Sequence, residues 1–351
     1  LPKKRVVHIA PFTPHLCGLY ETAREIVSQE RKNGYDAFFY DPRPEKADDL
    51  ADRRVPDWSE DRGVCTVPFD FVKSADIIVS HSGLTEELRK LEIPYIHIAH
   101  GRPYSSFMLE NTGKTAVYSM YRSINNDPLL KAVVTLWSEY QKHIGMLFDK
   151  KPVHTFEAPV NLEHWYPAET SYDFNGQAGD VNVVCSDIWR VDKNPYHVVH
   201  GFMEYAKTRQ GAKLHMYAVD LKQHGWKCLL GMMKERGILG EVRNYVDNLD
   251  HVYRAADVMI TPHKIATRTV REAIASGLQV VAGAGNKYTA YTADEEDIES
   301  YAGRIQKAHD DLLADGSKCE AINRSTAVKH FDAAKTGNQM CDLIQRTIND
   351  R

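Results

Sequence analysis

Long apolar runs are missing from this chain. Stretches such as Val258–Ile260 and Val280–Ala284 fall far short of the ~20 residues that a membrane-spanning helix needs. The six cysteines (17, 65, 185, 228, 319 and 341) include no Cys-x-x-Cys pair, and their gaps fit no zinc ribbon. Free, mostly buried thiols in a reducing cytosol are the simplest reading, so a cytoplasmic location is expected. The sixteen histidines are scattered and include no His-Glu-x-x-His, so no metal site is expected. A charge excess of either sign is also absent: Lys plus Arg is 44 against 48 for Asp plus Glu, a net charge of −4, with no basic tail to seek a polyanion. The first ten residues are too short and too soon interrupted for a secretory signal, and the missing initial Met reads as a numbering that begins inside the gene product.

The 351 residues allow two domains, and 43% hydrophobic with 26% charged residues is ordinary globular composition. Arg5–Ala10 is apolar and β-branched and reads as a buried strand. Two prolines and a glycine between Pro11 and Gly18 make a loop. Tyr20 to Asn33 then has helical spacing and ends at Gly34, and Ala37–Tyr40 is a second strand. The alternation continues with strands at Ala75–Ser80, Pro94–Ala99 and Val133–Leu136. It pauses in the polar stretch 168–180 and restarts with strands at Val181–Cys185, Leu214–Val219, Val242–Val246, Val258–Thr261 and Gln279–Ala282. The expected architecture is α/β: two Rossmann-like doubly wound domains facing across a cleft. Their bounds are 1–167 and 181–330, with a linker at 168–180 and a C-terminal helix, 331–351, that packs back on the first domain.

Open parallel sheets bind ligands beyond the carboxyl ends of their strands, and those ends are loaded here. The first half carries His15 and Gly18, then His81, then His100-Gly101-Arg102. In the second half, Arg190 and Lys193 lie between a strand and the helix opened by Asn194-Pro195, where two cations three residues apart can converge on a diphosphate. A solvated loop would carry the same two charges. Thr267-Arg268-Thr269 opens another helix, whose amides can hold phosphate oxygens. Glu272, about one turn in, can accept from a ribose diol or simply complement the helix dipole. Gly18 lets backbone approach a ligand, or is an ordinary turn glycine. Paired strand-end imidazoles at His81 and His100 suit hydrogen bonding near neutrality. His15, His263 and the intrastrand His97 are weaker candidates.

Several chemistries are excluded. Pro11–Gly18 contains no G-x-G-x-x-G, although Asp41 ends the second strand as a ribose-binding acid would. There is no G-x-x-x-x-G-K-[ST] and no G-x-S-x-G. A diphosphate site without a nucleophile or metal cluster fits a nucleotide-sugar donor, whose diphosphate is both handle and leaving group.

An ordered set of segments resembles the GT-B glycosyltransferases, in particular the retaining family 4 enzymes. The set runs from the Pro11–Gly34 loop and helix, through the His-terminated strands, to Pro159–Pro167. It continues with Arg190-Val191-Asp192-Lys193-Asn194-Pro195, Ala255–Pro262 and Glu272-Ala273-Ile274-Ala275-Ser276-Gly277-Leu278-Gln279-Val280-Val281-Ala282, the most specific stretch. The resemblance implies that Arg190 and Lys193 stabilise the departing diphosphate without a metal or cofactor. It also implies that Glu272 holds the ribose, that Thr267, Arg268 and Thr269 meet phosphate, and that His100 touches the transferred sugar. Gly18 and Gly101 would line the donor, a UDP-sugar, and His15, His81 and Arg102 would stand on the acceptor side. One position departs from the pattern. Lys264 occupies the first place of the family's Glu-x7-Glu, where a carboxylate would contact the sugar, so the sugar, expected to be a hexose, could be unusual or activity lost. A soluble glycan or small-molecule acceptor is favoured over a lipid or modified DNA, and no stable protein partner is expected. A nucleotide-sugar 2-epimerase and a noncatalytic nucleotide-sugar-binding protein are the alternatives.

Overall fold

The structure, a computed structural model, describes residues 3–10, 18–42, 67–100, 117–187, 195–219, 224–294 and 296–350. Its strands form two six-stranded sheets, parallel throughout. The first contains β1 (Arg5–Ile9), β2 (Asp36–Tyr40), β3 (Ile77–Ser80), β4 (Tyr95–Ala99), β5 (Leu130–Thr135) and β6 (Val153–Thr155) in the order β2-β1-β3-β4-β5-β6. The second contains β7 (Val181–Cys185), β8 (Ala212–Met216), β9 (Leu239–Val242), β10 (Val258–Ile260), β11 (Gln279–Gly283) and β12 (Tyr291–Ala293) in the order β12-β11-β10-β7-β8-β9. Each order reverses once, between β1 and β3 in the first sheet and between β7 and β10 in the second. A doubly wound sheet opens its ligand crevice at such a point.

Both faces of the first sheet are covered, as a parallel sheet requires. Side chains alternate along β1. Val6 and Ala10 enter a core with Tyr20, Ala23, Val27 and Ile344, while Val7 and Ile9 enter another with Leu88, Ile124 and Phe148. His8 shares the face of Val6 and Ala10, and this puts a fully buried imidazole against the helix α1 (Gly18–Lys32). The second sheet has its own core, built on Val183, Phe202, Leu214, Trp226 and Ile260.

The chain divides into two compact units, one of Leu1–Pro159 with Phe331–Arg351 and the other of Val160–His330. Residues 160–167 pack within the second unit. Arg324 donates to the carbonyls of Leu162 (3.0 Å) and Trp165 (2.8 Å), and the Trp165 ring lies 5.9 Å from that of Tyr253. The stretch 168–180, polar by composition, is docked as well. Phe174 stacks on His215 at 3.8 Å, and Tyr172 and Asn175 donate to the Glu241 carboxylate at 2.5 and 2.6 Å. The same carboxylate explains why β9 lies at Leu239–Val242 rather than at 242–246. Glu241 is a buried acid inside the strand, held also by Tyr217 at 2.7 Å and Arg243 at 2.5 Å, and it interrupts the apolar pattern that marks a strand.

The last helix, α2 (Ala333–Asn349), packs on α1 in the first unit. Thr336 Oγ1 donates to the Glu157 carbonyl (2.7 Å), Tyr35 donates to the Cys341 carbonyl (3.1 Å), and Asn33 donates to Asn338 (3.0 Å). Gly337 sets the spacing: a Cβ there would stand 2.2 Å from Gln29 Cβ. Since Cβ cannot swing away, Gly337→Leu must push the helices apart. We expect a loss of about 2 kcal/mol, seen as a lower urea midpoint and faster amide exchange in α2. An unchanged midpoint would show that the contact tolerates a side chain.

Candidate functional site

The structure gathers polar groups at the switch point of each sheet. In the first unit, Glu30 on α1, His8 in β1, His81 after β3 and His100 after β4 form one file of hydrogen bonds. Glu30 Oε2 lies 2.9 Å from His8 Nε2, His8 Nδ1 lies 2.8 Å from His81 Nε2, and His81 Nδ1 lies 2.7 Å from His100 Nε2. Glu30 and His8 are fully buried, His81 is 4% exposed, and His100 is half-buried. Burial pushes the His81 imidazole well below its ordinary range, and the neighbouring His100, His8 and His97 push it further. His97, one pleat inside β4, is driven down to about 4 by burial. Backbone also ties the switch point together, since His81 N–H donates to the Ile9 carbonyl at 2.9 Å.

In the second unit the same place in the topology holds a second pair. Asp187 follows β7 and His263 follows β10, and Asp187 Oδ1 lies 2.6 Å from His263 Nε2 with both side chains buried. The His263 carbonyl accepts from Gly283 N–H (3.1 Å) and from Asn286 Nδ2 (3.3 Å). Only glycine fits at 283, because a Cβ would meet the Pro262 carbonyl oxygen at 2.3 Å. Cys185 ends β7 beside this pair, and burial raises its thiol well above the ordinary range. The helix α3 (Arg268–Ala275) starts at this edge with Thr267 as its N-cap residue, and Thr267 Oγ1 meets Thr269 Oγ1 at 3.3 Å. Glu272 is buried one turn in, and Arg268 Nε donates to its Oε1 at 2.5 Å. Burial and the Glu272 carboxylate together hold the Tyr253 phenol well above its usual range. A separate concavity, lined by Pro167, Tyr253, Gly277, Gln279 and Glu320, lies at the amino ends of β10 and β11, the wrong edge for a ligand of this topology.

The sequence-based candidates fall into three groups. His81 and His100 are in direct contact, and Thr267, Arg268, Thr269 and Glu272 share one helix start. Gly18 is the exposed first residue of α1, and Lys264 is exposed in the loop after β10. Arg190, Lys193, His15, Gly101 and Arg102 lie outside the described residues. Sequence reading passed over His8 and Glu30. A signal for each exists: His8 interrupts an apolar strand, and Glu30 is four residues after Ile26 and three after Val27, on the apolar face of α1. Among the described residues no cluster of three or more His, Cys, Asp or Glu side chains could hold a metal ion, and no helix is long and apolar enough to cross a membrane. The four described cysteines, 185, 228, 319 and 341, are free.

No family model and no curated protein matches the chain. Solved structures do. Sucrose-phosphate synthase from Thermosynechococcus elongatus superposes with a TM-score of 0.74 at 14% identity, over 99% of this chain and 100% of the other. The HepE protein of Anabaena, solved with UDP and glucose, gives 0.70 at 12% identity over 98% and 100%. An α-glucosyltransferase solved with UDP and a 13-mer DNA containing an HMU base gives 0.66 at 13% identity over 98% and 100%. The fold is the GT-B fold of the glycosyltransferases.

The buried neutral imidazoles have a consequence in acid. His97 titrates near 4 in the folded chain against 6.5 when exposed, so between those values the unfolded chain binds the proton and the folded chain does not. The stability this group contributes is whole above pH 6.5 and is lost as pH falls toward 4, on the order of 3 kcal/mol in all. A ring-proton NMR titration is expected to show His97 neutral at pH 5, with urea midpoints falling across the same window. A His97 midpoint near 6.5 would contradict the assignment.

Proposed function

We propose that this protein is a retaining glycosyltransferase that moves a sugar, a hexose, from a UDP-sugar to a hydroxyl acceptor. The observation that carries the reading is the helix start Thr267–Glu272 at the carboxyl edge of the second sheet, in a fold shared over almost the whole chain with proteins solved bound to UDP. Amides at that helix start suit phosphate oxygens, and the buried Glu272 suits a ribose diol. Glu272 is held by Arg268, so it is presented as an oriented carboxylate rather than a mobile one.

Arg190 and Lys193 supply the chemistry in this reading. Breaking the bond between the sugar and the diphosphate builds negative charge on the leaving phosphate. Fixed cations aimed there lower the barrier without a metal ion or cofactor. The leaving phosphate then helps to take the acceptor proton, and for this reason no carboxylate nucleophile is required. Gly18, Gly101 and Lys264 would complete the donor side, with His100 against the sugar and His15, His81 and Arg102 toward the acceptor. Lys264, where a carboxylate is usual in the family it resembles, makes the donor sugar the least conventional part of the assignment. The free thiols fit a reducing, cytoplasmic setting.

The net charge of −4 favours a soluble glycan or small-molecule acceptor. A modified DNA base is the second reading, supported by the likeness to the α-glucosyltransferase solved on DNA. DNA binding would show a steep salt dependence. Incubation with a set of nucleotide sugars tests the assignment. Slow UDP release supports a transferase, an epimerised donor would indicate a 2-epimerase, and tight binding without turnover a binding protein.

Arg190→Ala and Lys193→Ala are each expected to lower UDP release by two or more orders of magnitude with the circular dichroism spectrum unchanged. Full activity in both variants would overturn the diphosphate site. Glu272→Gln is expected to raise the donor KM about tenfold through a weakened ribose contact, read by steady-state kinetics. A KM equal to that of the parent would remove Glu272 from the donor site.

A further inference from the structure

An ionised Glu272 can take hydrogens from a ligand but has none to give. Each hydroxyl of a vicinal diol both donates and accepts, so a diol laid against a carboxylate still needs donors for its two oxygens. The Nε of Arg268 is already given to Glu272 Oε1, at 2.5 Å. The missing donors have to come from elsewhere in the second unit.

Two hydroxyls stand at this place. Ser186 directly follows β7, and Tyr253 lies on the helix Leu249–Ala255, which packs on α3. Ser186 is 7% and Tyr253 1% exposed, and neither Ser186 Oγ nor Tyr253 Oη has a hydrogen-bond partner among the described residues. The Tyr253 ring is anchored against Trp165, 5.9 Å away. Its phenol stands within electrostatic reach of Glu272, Asp187 and Arg268. The Ser186 hydroxyl is close enough to ease the ionisation of the phenol, although no hydrogen bond joins the two. A buried hydroxyl without a partner destabilises the chain that carries it, and native interiors hold few of them. Here two stand together, beside the strand-order reversal of the sheet.

The surroundings select the chemistry of a guest. The Glu272 and Asp187 carboxylates oppose a phosphate or another acid, and Asp187 is already engaged with His263 at 2.6 Å. An ammonium group only donates, and would leave the hydrogens of both hydroxyls without an acceptor. A neutral diol supplies what is needed on both sides: hydrogens for the carboxylate and lone pairs for the two hydroxyls.

We propose that Ser186 and Tyr253 donate to the two oxygens of the ribose diol whose hydrogens Glu272 accepts, and so set a preference of this site for ribonucleotides over deoxyribonucleotides. The inference rests on the reading of the protein as a UDP-sugar enzyme, and adds to it two residues outside the helix start. Both touch the donor away from the bond that breaks, so they determine specificity and take no part in the transfer step.

Calorimetry with UDP, 2′-deoxy-UDP and 3′-deoxy-UDP tests the assignment on the whole chain and on Tyr253→Phe and Ser186→Ala. Urea midpoints of the same three proteins are measured without nucleotide. The parent is expected to prefer UDP over each deoxy analogue by at least about tenfold. Each variant is expected to bind UDP about fivefold more weakly, with its preference over one of the two analogues reduced at least about threefold. The urea midpoints of both variants are expected to equal or exceed that of the parent, because each substitution removes an unpaired buried hydroxyl. A hydroxyl bonded within the protein would instead lower the midpoint when removed. Unchanged preferences in both variants would overturn the proposal, as would a weakened preference accompanied by a lower midpoint. If the parent binds no UDP, the functional reading itself falls and the ribose assignment with it. If the parent binds UDP and both deoxy analogues alike, the roles of Ser186 and Tyr253 fall while the UDP site stands.

Discussion

A strand can pair in parallel with its neighbour only after the chain has crossed back over the sheet, and each crossover leaves the carboxyl ends of all strands at one edge. The twelve strands among the described residues obey that constraint in two separate sheets. Most of what is chemically distinctive follows from it. The carboxyl ends of β1, β3, β4, β7 and β10 stand at their own sheet's edge, so residues far apart in sequence, such as His8 and His81 or Asp187 and His263, arrive at contact distance. Both pairs sit where the strand order reverses, the one place in each sheet where adjacent crossovers run to opposite faces and leave a gap between them.

Much of the fold was legible because burial leaves a periodic mark. β7 lies at the expected residues, and β1, β4 and β11 within a residue or so at each end. The misplacement of β9 and the omission of β6 and β12 have physical causes. β9 carries a buried acid, Glu241, two of whose partners come from a segment more than sixty residues upstream. β6 and β12 are three-residue strands at the sheet edges, too short to show a period. The docked stretch 168–180 misled for a related reason. Its Asn, Gly and acidic residues look like a free linker, but one buried ring, Phe174, on His215 is enough to hold it.

The site was legible in a different way. His81, His100 and the Thr267–Glu272 helix start could be named because position at a strand end or helix start is readable from local pattern. Glu30 and His8 could not, because their meaning lies in what they touch. A single polar residue on an apolar face usually finds some partner, and only coordinates show that this one heads a file of three imidazoles. Ionisable groups in the two cores thus divide into those held neutral by burial, such as His97 and His215, driven down to about 3, and those that share protons or charge across short contacts.

The helix that closes the first unit is made after the whole of the second. The chain leaves that unit at Pro159 and returns to it only at Phe331, and α2 seats on α1 through a contact with no room for a side chain at Gly337. During synthesis from the amino end, the second unit therefore has its full complement of residues before the first does. Until α2 has emerged, the face of α1 that Gly337 will cover stays open to solvent, so an older part of the polypeptide waits for a younger one.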